Sequence, residues 1–173
     1  MNTLVIHPND NSTLFLNRIY NNLENIDLIT TTVSSSAISD AIRYHDRIYL
    51  LGHGTEYGLL SSNFDRFIIN SNHVQFLRDK EVIGIWCNAD VFAEKYNLHG
   101  LFSGMVISEL HESISCGIRS NEDEINTENN RFAENLRYCL DTYSLDRIPN
   151  EFSLLNKMNT ELTNFNYNSL YYY

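Results

Sequence analysis

The chain has 173 residues, 43% hydrophobic and 12% aromatic, with only seven glycines and two prolines, which predicts a single domain over residues 1–173 with a core of its own and excludes a linker-rich or disordered chain. A net charge of −10, with twelve Lys and Arg that gather into no run, argues against any nucleic-acid partner, because phosphate backbones would be repelled. No stretch reaches the ~20 consecutive apolar residues of a membrane span, and the opening MNTLVIHPND lacks the basic and long apolar regions of a signal peptide, so a cytoplasmic protein without a membrane partner is expected.

The predicted elements alternate from the start. Leu4-Val5-Ile6 is a short apolar strand stopped by His7-Pro8, after which Asn9, Asp10 and Ser12 offer helix caps. Leu16, Ile19, Tyr20 and Leu23 follow at the spacing of an amphipathic helix, and residues 26–33, rich in β-branched side chains, read as the second strand. Ser34 to Ser36 can cap a helix whose apolar side is Ala37, Ile38, Ala41 and Ile42, and residues 47–51 form a third strand ending at Gly52-His53-Gly54. Such βαβαβ alternation implies a mostly parallel sheet covered by helices, a three-layer α/β/α sandwich, because parallel neighbours need crossover connections.

Residues 57–60 and 66–69 flank Ser61-Ser62-Asn63 and read as a β-hairpin, with Ser71 or Asn72 opening a short helix through Leu77. VIGIWC, residues 82–87, is a buried strand whose last residue is Cys87; alternation of sides puts Trp86 under the sheet and Cys87 opposite it. Asp90 can cap a helix through Tyr96, and residues 100–118 mix an apolar strand with a short helix. Acidic residues from Asn121 onward, with arginines later, fit a helix dipole. Pro149-Asn150 starts a helix with Phe152, Leu155, Met158 and Leu162 on one side, and the aromatic end FNYNSLYYY either packs on the core or mediates a homo-oligomer.

Two residues with chemical potential stand at strand ends, where open α/β sheets bind their ligands. These are His53 and Cys87, and the hairpin and short helix between them leave room for adjacent parallel strands. An imidazole titrates near neutrality and can stabilise a thiolate or take its proton. The flanking glycines then allow a sharp turn. Backbone amides of Gly54 and Cys87 could form an oxyanion hole worth about 3 kcal/mol per donor. Of the other cysteines, Cys116 and Cys139, neither makes a zinc or disulfide spacing with Cys87.

This order, a βαβαβ unit ending in hydrophobics-His-Gly followed by an apolar strand ending in Cys, resembles the caspase-hemoglobinase fold of clan CD cysteine peptidases over residues 4–89. The resemblance implies a cysteine hydrolase of peptidase type, with His53 as general base or proton donor, Cys87 as nucleophile and Gly54 in the oxyanion hole. It departs from caspases at Trp86, where a small residue is usual. Resemblance to gingipain and clostripain implies a carboxylate under a basic P1 side chain, for which Asp90, Glu109 and Glu112 are the candidates; an aspartate pocket would need Arg119. The segments HPND, LGHG, WCNA and FSGMVISE also resemble small bacterial and phage proteins, which implies no activity. Peptide or protein substrates are then the expected partners.

The other reading is a non-catalytic caspase-like protein that sequesters a small-molecule ligand or partner protein, for example in bacterial or phage conflict. No cofactor is expected. Gly52, Gly54 and Gly58 are followed by no Lys-Ser/Thr, so they make no phosphate loop, and His111-Glu112 lacks the second histidine of a zincin, so no metal is expected.

Overall fold

A computed structural model describes residues 2–31 and 33–173. Strand β1 (Thr3–Ile6) is followed by a 3₁₀ helix (Asn11–Ile19), β2 (Ile26–Ile29), α1 (Ser35–Arg43) and β3 (Arg47–Leu51). Three short strands, β4 (Gly54–Thr55), β5 (Gly58–Leu60) and β6 (Phe67–Ile69), then form a separate antiparallel sheet before α2 (Val74–Leu77) and β7 (Glu81–Ile85). The chain continues through α3 (Ala89–Tyr96), β8 (Gly100–Ser103), α4 (Leu110–Ser115), α5 (Glu122–Thr142), α6 (Ile148–Leu154), α7 (Glu161–Tyr167) and β9 (Leu170–Tyr172).

The main sheet has six strands in the order β2-β1-β3-β7-β8-β9, all parallel except β9, which runs antiparallel to β8. This is the mostly parallel α/β arrangement that the alternation predicts. Its central strands are apolar on both sides and feed two clusters. Leu4, Ile6, Ile48, Leu50 and Val82 pack with Ile38 and Ile42 of α1, Leu77 of α2 and Phe92 of α3. Val5, Tyr49, Leu51, Ile83 and Ile85 pack with Leu16 and Ile19 of the 3₁₀ helix, Phe132 and Leu136 of α5 and Phe152 of α6. A strand buried on both faces cannot alternate polar with apolar residues, which is why RIYLL and EVIGI read as greasy runs.

Several predicted boundaries move. The segment after β1 winds as a 3₁₀ helix, with Leu23 beyond its end. Asp10 holds its N-cap position, yet the Asp10 carboxylate is turned to side chains instead of capping the backbone. The second strand stops at Ile29, short of the predicted 26–33, a span that includes position 32, which lies outside the described residues. β7 ends at Ile85, leaving Trp86 and Cys87 in the following turn. Asn70 rather than Ser71 or Asn72 caps the turn before α2. Asn88, in the left-handed region at φ 67°, precedes α3, so Asp90 lies inside its first turn and not at the N-cap.

The single helix expected from Pro149 is two, because Asn159 adopts φ 50° and Thr160 caps α7 through the Thr163 amide. Leu162 is thereby buried in α7 while Met158 is left exposed between the helices. The C-terminal aromatics pack on the chain's own sheet as β9.

Helix α5 begins where the sequence signals it. Asn121 Oδ1 accepts from the Glu124 amide at 3.0 Å and Glu124 Oε2 accepts from the Asn121 amide at 3.1 Å, a reciprocal cap. Replacing Asn121 by alanine is expected to lower stability by about 1 kcal/mol in urea denaturation. An unchanged midpoint would show that packing alone fixes this helix start.

Candidate functional site

The sheet order reverses direction at one place. From β1 the chain goes to β2 on one side and then crosses back to β3 on the other, so the switch point lies between the carboxyl ends of β1 and β3. The loop after β1 carries Asp10 and Ser12, and the loop after β3 carries His53. These three side chains meet. Ser12 Oγ donates to Asp10 Oδ2 at 2.6 Å and lies 2.6 Å from His53 Nε2, while Asp10 Oδ2 is 3.1 Å from the same nitrogen. Burial of the Asp10 carboxyl would raise its pKa, but hydrogen bonds from Ser12 and Thr13 and the charge of His53 outweigh it and hold Asp10 below the usual carboxylate range.

His53 is held from the other side by Phe64, whose ring meets the imidazole edge-on at 5.1 Å between centroids. Phe64 sits at φ 58°, a region unusual for a bulky side chain, and is half-exposed. The turn is closed by the Phe64 amide donating to the Ser61 carbonyl at 3.0 Å and by Ser61 Oγ donating to Asp65 at 2.6 Å. A strained aromatic at the rim of a polar groove is a feature that functional sites concentrate.

The glycines around His53 have two different reasons. Gly52 has φ 141°, a backbone region that favours glycine, and its amide donates to the Ile85 carbonyl at 3.1 Å, tying the loop to β7. Gly54 is required by packing: a Cβ there would lie 2.1 Å from Trp86 Cδ1 and 2.5 Å from the Gly58 carbonyl oxygen. Trp86 is buried among α3 and β-strand side chains and donates from Nε1 to the Thr55 carbonyl at 3.0 Å.

Cys87 follows β7, the parallel neighbour of β3, and is paired in position with His53: Leu51 and Ile85 are register partners, and each site residue comes two positions later. Both side chains line one small cavity of about 20 Å³, together with Trp86, Ser103 and Val106. That volume holds about one water. The nearest polar partners of the thiol are the Val106 carbonyl and Glu112 Oε1, each 3.9 Å from Sγ. Burial, and after it the Glu112 charge, pushes the Cys87 thiol up to about 12. The group beside the thiol is therefore a carboxylate, and Cys87 is a neutral thiol in this conformation.

Glu112 reaches the site from α4. It is buried, and its Oε2 accepts from the Ser108 amide at 2.8 Å, Ser108 Oγ at 3.2 Å and the Glu109 amide at 3.1 Å. With Oε2 so fixed, Oε1 faces Cys87. Glu109, one residue before α4, joins Glu112, His53, His111, Asp10, Ser12, Asn11 and Phe64 around an open groove of about 470 Å³. Three carboxylates and two imidazoles line this groove, with no Lys or Arg among its lining residues.

Of the sequence candidates, the structure thus brings together His53, Cys87, Glu109 and Glu112, with Gly54 behind Trp86. Asp90 lines neither the cavity nor the groove. Its carboxyl sits near Gly104 and Tyr173, where burial raises its pKa and Oδ1 has no partner among the described residues. Arg119 lines a separate pocket with Glu128 and Arg131. Asp10, Ser12 and Phe64 were not legible as site residues; for the first two the available signal was position, a polar pair just past a strand at the switch point. No protein-family model matches the chain, and neither the curated proteins nor the solved structures give a match. No helix among the described residues is long and apolar enough to cross a membrane.

Proposed function

We propose that the chain is a cysteine hydrolase of peptidase type on a caspase-like three-layer α/β/α scaffold, with its thiol neutral in this conformation. The observation that carries the reading is that His53 and Cys87 follow neighbouring parallel strands at matched register and line one cavity. A mostly parallel sheet with those two residues after adjacent strands is also what the clan CD resemblance implies. Cys87 Sγ would bond to a substrate carbonyl carbon and pass its proton to His53, and water would later hydrolyse the resulting thioester. His53 would protonate the leaving nitrogen, and the Gly54 and Cys87 amides would receive the oxyanion. The acidic groove favours a basic P1 side chain, with Glu109 nearer solvent than Glu112.

A peptidyl acyloxymethyl ketone with arginine at P1 tests this directly. The expected result is a single adduct on Cys87 by mass spectrometry, lost in His53→Ala and weaker with aspartate at P1. Adducts confined to exposed Cys116 would overturn the hydrolase reading.

The small cavity and the protonated thiol favour a second reading, a non-catalytic protein that binds a ligand or partner in the groove. The two readings part at Glu112→Gln. Removing that charge is expected to raise Cys87 alkylation by iodoacetamide about tenfold at pH 8, the thiolate gain of about one pKa unit. If only burial holds the thiol up, the rate stays flat and the binding reading gains.

A further inference from the structure

The groove beside Cys87 collects metal-ligating atoms without any Lys or Arg to balance them. One ring nitrogen of His53, one carboxylate oxygen of Glu109 and one of Glu112 all lie within 4.8 Å of one another. Asp10 adds a third carboxylate in contact with the same imidazole. None of the groove-lining residues is Lys or Arg. Like charges gathered this closely are unfavourable unless something positive sits among them.

Glu112 adds an independent pointer. Its residue is only 8% exposed, and three donors hold Oε2 in place, while Oε1 has as its partner a weak thiol donor at 3.9 Å. A buried carboxylate oxygen normally has better company. Here Oε1, on a member of the cluster, is left short of a strong donor.

We infer that His53, Glu109 and Glu112 bind a divalent transition-metal cation of the zinc class at the mouth of the groove. The donor set selects the class: an imidazole with carboxylates suits borderline cations such as zinc, whereas magnesium and calcium prefer oxygen alone. Bond lengths of ~2.0–2.2 Å require the three donors to close by roughly an ångström from their present spacing. Two of the three can do so at low cost. Glu109 precedes α4 with its side chain about one-third exposed, and His53 stands on a loop. Glu112 is the fixed member onto which they would close.

The site does not depend on the hydrolase reading, since no ligand in it is a thiol. A cation there would nevertheless lie against the proton acceptor proposed for Cys87, so zinc occupancy and nucleophile chemistry would oppose each other.

Isothermal titration of the chelator-treated full chain with zinc chloride is the test, with magnesium chloride as comparison. One zinc per chain is expected, with weak or absent magnesium binding. Glu109→Gln and His53→Ala are each expected to weaken zinc at least about tenfold, while Cys87→Ser, Cys116→Ser and His111→Ala leave it within about twofold. Thermal melts of each variant with and without zinc keep the result readable: a folded variant whose melting temperature no longer rises with zinc has lost the site. Loss of binding in His111→Ala or Cys116→Ser, with Glu109→Gln unaffected, would identify surface chelation and overturn the inference. Absence of a stoichiometric isotherm would do the same. Failure here leaves the ketone labelling of Cys87 intact, and failure of labelling leaves the zinc isotherm intact, so the two proposals fall separately.

Discussion

Gly54→Ala is expected to destabilise the fold by on the order of 3 kcal/mol, seen as a lowered denaturant midpoint with an unchanged slope. The new methyl would have to occupy space within 2.1 Å of the Trp86 ring and 2.5 Å of the Gly58 carbonyl. Neither neighbour can retreat easily. Trp86 is locked by its hydrogen bond to Thr55 and by an edge-on contact with Phe92 at 5.8 Å, and Gly58 is fixed in the ladder between β4 and β5. A double-mutant cycle separates the two clashes. If Trp86 is the main obstacle, Gly54→Ala will cost little in a Trp86→Leu background, giving a coupling of more than about 1 kcal/mol. Additive effects would assign the cost to the backbone of β5 instead. The same substitution shifts the loop that presents His53, so labelling of Cys87 should fall even where the protein stays folded.

Acidification from pH 7 toward pH 4 is expected to remove about 3 kcal/mol of stability through one buried histidine. His7 follows β1 inside the core, 3.0 Å from the Tyr20 hydroxyl through Nδ1 and 3.4 Å from Thr13 Oγ1 through Nε2. Burial lowers its pKa from 6.5 to about 4, against smaller opposing effects of Thr13 and Asp10. With the folded value depressed, the unfolded chain takes up the proton first as pH falls. The contribution is therefore intact above pH 6.5 and disappears as pH drops through about 4. Urea midpoints across that window check it. His7→Gln should flatten the curve there; an equally steep curve in the variant would place the acid sensitivity in other groups.

Much of the fold was readable because the strongest signals are local. Greasy runs that begin after polar turns gave β1, β3, β7 and β8, since a strand covered on both faces has no polar side. Ser34 announced α1 through a side chain that reaches the backbone three residues on, and the acidic run from Asn121 announced α5. The losses are positions where a competing interaction wins. Asp10 is a good helix cap by type, yet its carboxylate is drawn to Ser12 and His53 across the switch point, a contact 43 residues long in sequence that no window reveals. The break between α6 and α7 depends on Asn159 in a left-handed conformation, which asparagine tolerates without advertising it.

The site was half legible for a related reason. His53 and Cys87 stand out because glycines and a strand end frame them. Glu112 was named as a candidate carboxylate for a basic P1 side chain, and its approach to the thiol depends on the path of residues 104–109, which the spacing of His and Cys does not reveal. Its effect on Cys87 runs opposite to the imidazole partner that the motif suggests, because what lies beside the sulfur is set by that return path and not by the spacing of His and Cys.

The antiparallel strand β9 has a consequence for the order in which the protein can be completed. Gly100 and Tyr173 exchange amide and carbonyl in both directions at 3.0 Å, and Ser103 pairs with Leu170. During synthesis the five parallel strands are all available once β8 emerges, but the outer rim of β8 stays without its partner until some seventy more residues have been translated. A nascent chain on the ribosome thus carries an uncovered hydrogen-bonding rim for several seconds at ordinary elongation rates. Chaperone capture, or mispairing between chains on one message, would concentrate in that interval.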